Sequence, residues 1–511
     1  MSFILSIDSG STGIRAVLFN KKCEIVAHEY EKTPAYYPNA GWIENDPELL
    51  WESLLLVARR IFQKSGISPR DVTAMGIANQ RASFTLWERK TGKPLINFIN
   101  WADIRAAETC ERMNKTKKWL ILKKLALVAS ITGNTFLTVV SKVKFTTEYV
   151  TVRLKWILDN IEGLREKCKS GEVAFGTVDS WLIYKLTGGK IHAIDYTNAA
   201  TGLLNPVNLK WSKPVFWIFN LPKEILPEIK NTNGDYGTTD PSLFEGAEIP
   251  IRVAIGDQQA ALFGQCCFEA GDAKISLGSG AFVDVNVGNR AKLSKRGLFP
   301  LVAWVIDEKP AYMLEGHVAA AGTFIDWLDY GLGLSETARE LNELAAQCGD
   351  TQGVVVIPVP TGINYPYFNT EMRATVLGLS LNTRKTHVAR AVFEGIALRI
   401  VDILAGLEKD TKVPIRMLKI DGGLSQSDIL VQCIADFTDL EVICALEPDV
   451  TARGVAYIAG IRVKFWDLNE LKQIDARLKT EVFQPRMNPQ KRQEKIECWK
   501  KSLKMILREN E

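Results

Sequence analysis

Histidine is scarce in this 511-residue chain: only His28, His192, His317 and His387 occur, far apart from one another. None stands beside a serine or cysteine in a nucleophile motif, which argues against hydrolase and zinc-enzyme chemistry. The nine cysteines lack repeated short spacings, and the one close pair, Cys266 and Cys267, is adjacent. Neither a disulfide framework nor a zinc site follows, and a reducing compartment fits. An excess of charge of one sign is also missing. With 63 basic and 59 acidic residues the net charge is +4, so no basic field points to nucleic acid. Long apolar runs are absent too. The most apolar stretch, Trp119 to Val140, is interrupted by Lys123, Lys124, Gly133 and Asn134, short of the roughly 20 apolar residues a bilayer span requires. Met1 to Ile7 runs directly into a strand pattern without the basic flank of a secretory signal, and a cytoplasmic location is expected.

What is present is a globular composition, 46% hydrophobic and 24% charged, on a chain long enough for two domains of roughly 250 residues each around a cleft. Phe3–Ile7, Ile14–Phe19 and Glu24–Tyr30 read as short strands, the first two joined by a turn from Asp8 to Gly13. A helix follows, capped by Asp46, started by Pro47, with Leu50, Leu54, Val57 and Ile61 on one face. Ala74–Ala78 and Ser83–Trp87 read as strands flanking Asn79, Gln80 and Arg81. Pro250–Ile255 is a further apolar strand, ending in Gly256 and Asp257 before a helix. Ser276 to Gly280 then repeats the opening pattern of strand, glycine-hydroxyl turn and strand, which suggests a duplicated α/β fold. The expected division is 1–253, 254–468 and a charged helical appendage over 469–511.

Three constellations carry chemistry. In the first, Asp8, Gly10, Ser11, Thr12 and Arg15 form a tight turn whose N–H groups and hydroxyls can face a phosphate chain, with Arg15 to neutralise it. An ordinary hairpin in which Asp8 and Ser11 bond their own backbone reads equally well. In the second, Asp257 sits with Gln258 at a strand end before a helix, where groups face a ligand crevice. It is placed to take a substrate proton, though a plain N-cap explains it as well. Gly278, Ser279 and Gly280 supply a second candidate phosphate turn about twenty residues on. In the third, Met417–Ile420 leads to Asp421, Gly422 and Gly423, where paired glycines admit a flat group such as adenine or merely form a loop. Gly322, after Ala319–Ala321 in a helical pattern, is either a close-approach surface or helix packing.

In this order the motifs resemble the carbohydrate kinase family that includes glycerol kinase and xylulokinase and is built on the actin and hexokinase fold. GWIENDPELLW (Gly41–Trp51), FGTVDSWLIYKLTG (Phe175–Gly188), IGDQQAALFGQ (Ile255–Gln265) and IDGG (Ile420–Gly423) carry the resemblance. Gly378, Leu379, His387 and Glu394, spaced as in the family's C-terminal signature, extend it. It implies two actin-like, ribonuclease H-like α/β domains and ATP-dependent phosphorylation of a small polyol, glycerol to sn-glycerol 3-phosphate. Asp257 would act as base and Asp8 would help to hold Mg²⁺. Ser11, Thr12 and Arg15 would face phosphates, Ser279 and Gly322 would line the nucleotide cleft, and Gly423 and Ser427 would lie near adenine. Arg81, Trp101, Asp257, Gln258 and Phe282 would form the polyol pocket, and pairing through the C-terminal domain implies a homodimer.

Departures accompany the match. Glycerol kinases carry glutamate after the arginine of NQRET, where it binds a glycerol hydroxyl; NQRAS puts Ala82 there. In the N-terminal signature Trp156, Asp159 and Asn160 match, but Arg153 replaces a lysine and an insertion around Ser141–Thr147 displaces the preceding aromatic, leaving Tyr149 as a candidate. Ser427 replaces an asparagine. These changes resemble a divergent animal branch of the glycerol kinases. They leave open a kinase for another polyol or a ketose, and a low-activity nucleotide-binding regulator.

Overall fold

A computed structural model describes residues 2–509 except 133, 134, 295, 297, 299 and 448; Gly133 and Asn134, read above as interrupting an apolar run, therefore lie outside the described residues. Two mixed sheets organise the chain. The first runs Ile251–Gly256, Val72–Asn79, Phe3–Ser9, Gly13–Phe19, Ile25–Lys32. Its first three strands are parallel and the other two extend it antiparallel. The parallel strands are apolar almost throughout because helices cover both faces. On one face lies helix Pro47–Ser65, whose N-cap Asp46 accepts the N–H groups of Glu48 and Leu49 and which stops at Gly66, φ +67°. Leu54, Val57 and Ile61 are fully buried, each worth about 1.5–3 kcal/mol relative to exposure.

The second sheet holds Lys309–Val318, Ala281–Gly288, Asp272–Leu277, Met417–Asp421 and Val442–Ala445 in the same spatial order and the same directions as the first, read from its antiparallel edge. The duplication expected from the two similar turns is thus present in the strand order. Leu301–Ile306 adds one edge, and Thr480–Phe483 the other, antiparallel to Val442–Ala445. The segment beyond Asn469, expected as a helical appendage, therefore also completes a sheet. Its final helix, Pro489–Glu509, docks by burying Trp499, whose indole N–H donates to Asp402 (2.7 Å). Ala319–Ala321, expected as helix, is instead the turn between strand Lys309–Val318 and helix Gly322–Leu332. The N–H of Ala321 is drawn to the Ser279 carbonyl (2.9 Å), and this tertiary bond overrides alanine's helix propensity.

A core of Ile4, Val17, Val253, Ile255, Leu262, Phe263, Val455 and Ile458 joins the two sheets. At its centre helix Asp257–Gly264 meets helix Val450–Arg462 backbone to backbone. A Cβ on Gly454 would stand 1.8 Å from the Ala260 carbonyl oxygen, and one on Gly264 2.3 Å from that of Val450. A satellite sheet, Glu44–Asn45, Phe98–Ile99, Phe84–Glu88 and Val173–Thr177, carries helices Ala107–Asn114, Lys117–Ala129 and Val150–Asn160. No helix among the described residues is long and apolar enough to cross a membrane.

Candidate active site

Strand pairing places Asp8 opposite Arg15. Arg15 Nε lies 3.5 Å from Asp8 Oδ2, and Nη1 is hydrogen-bonded to Asp449, the residue before helix Val450–Arg462. Burial pushes the Asp8 carboxyl up to about 7; Arg15 opposes the shift, while Asp257 and Asp449 add to it. In the turn, the Gly10 N–H bonds the Gly13 carbonyl (3.0 Å), and the Thr12 carbonyl accepts the Thr33 N–H and the Tyr30 hydroxyl (3.2 Å each). Main-chain bonds thus hold the turn, while the Asp8 and Ser11 side chains meet Arg15 and Trp101 and not their own backbone as the hairpin reading had it, and Ser11 and Thr12 remain exposed. Ser11 Oγ accepts the Trp101 indole N–H at 3.3 Å, so the candidate phosphate turn and the polyol-pocket candidate Trp101 are neighbours.

Asp257 is the first residue of its helix, and its Oδ1 accepts the Gln258 N–H (2.8 Å). Gly256 precedes it because a Cβ there would meet Arg81 Cγ at 2.6 Å. Arg81 can thereby lie across the helix start, with Nε 4.0 Å from Asp257 Oδ1 and Nη2 bonded to Glu315. That Nε is buried without a hydrogen-bond partner. Burial raises the Asp257 pKa, with Arg81, the Gln258 N–H and Lys274 opposing; 26% of the side chain stays exposed. Phe282 faces Trp101 edge-on (6.4 Å) and stacks on His317 (5.6 Å).

Sequence reasoning missed the charged cluster that Arg81 and Gln258 contact. Register aligns Lys274, Asp284 and Glu315 across three strands. Lys274 Nζ, fully buried, lies 2.9 Å from Asp284 Oδ2 and donates to Gln258 Oε1 (2.7 Å) and Ser276 Oγ (2.9 Å). Burial raises Asp284 to about 7 despite Lys274. For Glu315 burial works upward, but Arg81 and His317 hold the carboxyl below its usual value. Two polyol-pocket candidates, Arg81 and Gln258, are therefore gripped from the second sheet. The available signal was a charged residue in the middle of each of three apolar strands.

At the nucleotide-side candidates, the Ser279 carbonyl accepts the N–H groups of Ala321 (2.9 Å) and Thr323 (3.1 Å), and the Gly322 N–H bonds the Gly278 carbonyl (3.1 Å). Gly322 is buried and packs the helix start on that carbonyl, where a Cβ would stand 2.6 Å from the oxygen, as the helix-packing reading has it. Gly278 and Ser279 are exposed. Gly423 borders open space, whereas Gly422, φ +96°, packs on the Leu277 backbone. The Ser427 hydroxyl caps helix Asp428–Thr438 through the Leu430 N–H (3.3 Å) and donates to Asn342 Oδ1 (2.5 Å). Tyr149 lies edge-on to Phe145 (6.2 Å) and under Gly202, its hydroxyl pKa raised by burial. Arg153 is wholly buried, donating to the carbonyls of Asn100 (2.5 Å), Glu148 (2.9 Å), Ala82 (3.0 Å) and Ile99 (3.4 Å), and desolvation lowers its pKa to about 10. It fixes the loop carrying Ala82, which adopts φ +63°.

Two like sheets enclosing an acid at a helix start, an arginine-backed turn and a glycine-bordered opening define a two-lobed phosphotransferase of the actin-like class. The N-terminal domain model of the FGGY family of carbohydrate kinases matches residues 3–264, and the family's C-terminal domain model matches 273–463. The chain belongs to this family. It is 38% identical to the glycerol kinase of Francisella philomiragia over 503 residues, 98% of each chain, and 39% identical to that of Alkaliphilus metalliredigens over 511 residues, 99% of this chain and 98% of the other. The crystal structure of Plasmodium falciparum glycerol kinase with ADP superposes with a TM-score of 0.88 at 29% identity, covering 99% of this chain and 98% of that one. A ligand-bound xylulose kinase from Lactobacillus acidophilus, at 20% identity, shares the fold with a TM-score of 0.82.

Proposed function

We propose that the protein transfers the γ-phosphoryl group of ATP to a hydroxyl of glycerol, forming sn-glycerol 3-phosphate, with Asp257 as general base. The observation that carries this reading is Asp257 itself. It is a desolvated carboxylate with one oxygen tied to the Gln258 N–H and a side chain still open to the cleft, beside an unsatisfied Arg81 Nε. Asp257 accepts the hydroxyl proton as the oxygen bonds to the γ-phosphorus and the bond to the bridging oxygen of ADP breaks. Arg81, Gln258, Trp101 and Phe282 orient the acceptor; Ser11, Thr12, Arg15 and Ser279 face the phosphates; Gly322, Gly423 and Ser427 border the nucleoside.

Among the described residues no three metal-ligating side chains form a ready cage. Mg²⁺ is commonly held by one or two carboxylates together with phosphate oxygens and waters. Asp8, whose pKa is raised by burial and by Asp257 and Asp449 with Arg15 compensating only in part, fits as the residue that would hold the ion. Bound there, the ion neutralises charge on the phosphates. Ala82 favours a second reading, another small polyol or a ketose as acceptor, and with the insertion before Trp156 it supports the reading of a divergent branch of the glycerol kinases.

The test is product identification with ATP and a mixture of polyols and sugars, alongside Asp257→Asn. The variant should lose about 10²- to 10⁴-fold in turnover without loss of thermal stability, since it removes a costly buried charge. Unchanged turnover refutes Asp257 as base. A preferred ketose refutes glycerol, and nucleotide binding without any product refutes the kinase reading.

A further inference from the structure

On the outside of the satellite core, one surface inverts the usual placement of apolar side chains. Helix Lys117–Ala129 and the turn that continues it bury Trp119 and Ala126 in the satellite core. Leu120, Ile121, Leu125, Leu127, Val128 and Ile131 are turned outward, 43% to 85% exposed. Single exposed apolar residues are ordinary, but six on one short segment form a patch that calls for a covering partner. The electrostatics of the segment are equally one-sided. Between Lys115 and Thr147 there are seven lysines and no acidic residue, in a chain whose charges otherwise balance. Lys117 and Lys124 are exposed within the patch. Lys118 Nζ lies 4.6 Å from the ring centroid of Trp217, itself 58% exposed on the neighbouring helix Lys213–Phe219.

We propose that this face is a peripheral docking surface for an anionic lipid bilayer. Leucine, isoleucine and valine would enter the boundary between headgroups and acyl chains, with the lysines and Trp217 at headgroup level. Thirteen residues make a helix of about 20 Å, too short for a hydrocarbon core of about 30 Å, so the segment lies on the membrane and does not span it. A second copy of the chain is a poorer occupant, because a two-fold contact would bring lysines against lysines with no acidic residue of the segment to pair them. The inference is independent of which acceptor the kinase uses.

The experiment is co-sedimentation of the full chain with vesicles of phosphatidylcholine alone or mixed with phosphatidylserine, at low and high salt. The protein is expected to bind the mixed vesicles and to be released from them by salt. Lys117→Ser with Lys124→Ser should weaken this binding about 30-fold, the contribution of two lysines near an anionic surface. Leu125→Glu with Val128→Glu should weaken it about tenfold or more. Both variants change side chains already exposed, so ATP turnover, expected to be unaltered, reports that the fold is intact. Wild-type protein that stays in the supernatant, or binds both lipids equally, overturns the proposal. So does a lipid-free dimer that Leu125→Glu with Val128→Glu dissociates, because a second copy would then cover the face.

Discussion

Restoring the carboxylate at position 82 is the sharpest probe of the acceptor pocket. Ala82 already holds φ +63° and its carbonyl is fixed by Arg153 at 3.0 Å. A left-handed backbone penalises alanine and glutamate alike, so Ala82→Glu adds little strain. The new side chain is not compelled to collapse onto Arg81, whose Nη2 is engaged by Glu315. A hydrogen bond from an acceptor hydroxyl to a charged group is worth about 1.5–3 kcal/mol, so kcat/KM for glycerol should rise about 10- to 150-fold. Ala82→Gln, with a neutral partner, should gain about 2- to 13-fold from about 0.5–1.5 kcal/mol. Initial rates of ADP formation with glycerol and a longer polyol, together with unfolding midpoints, would measure both. A change below about twofold in a stably folded Ala82→Glu variant would refute the assignment of this position to the acceptor pocket.

Lys274→Met should cost about 3–5 kcal/mol in urea unfolding, because it strands Asp284 in the interior, and adding Asp284→Leu should recover most of that. A single variant as stable as the parent would show that the pair is not ionic. Since Asp257 must be unprotonated to act and burial raises its pKa, kcat/KM should climb with pH through a limb above the usual aspartate range. Lys274 opposes that shift, so Lys274→Met should move the limb to higher pH; a limb at the ordinary aspartate value contradicts the desolvated base. Gly454→Ala should lower stability by about 1–3 kcal/mol or more, read by thermal unfolding, and an unshifted midpoint would mean that the two helices have room to separate.

Residues at the ends of strands were readable as junction positions from the sequence because the pattern marks the junction: Asp8 and Ser279 sit at turns between two strands, Asp257 where a strand gives way to a helix. That Arg81 meets Asp257 followed from the resemblance alone, since the local pattern does not show the crossover that lays Ile251–Gly256 beside Val72–Asn79. Lys274, Asp284 and Glu315 stayed hidden for a related reason. A lone charge in an apolar strand looks like an edge facing water, and only the register of three strands shows that these charges face one another. Thr480–Phe483 was lost in a charged, helix-like stretch, too short for its alternation to stand out. The place of Ser427 near adenine rests on the resemblance alone, while its helix cap has a local signature, a serine directly before the apolar run of Asp428–Thr438.

The glycine contact between helices Asp257–Gly264 and Val450–Arg462 acts as a gauge. One helix begins at the proposed proton acceptor; the other is preceded by Asp449, which holds Arg15. Were side chains interposed, each rotamer change would alter the reach between acceptor and phosphate ends. With main chain against main chain, that reach is set by backbone packing, and the two ends of the proposed transfer are kept in step by two residues, Gly264 and Gly454, that contribute no side chain at all.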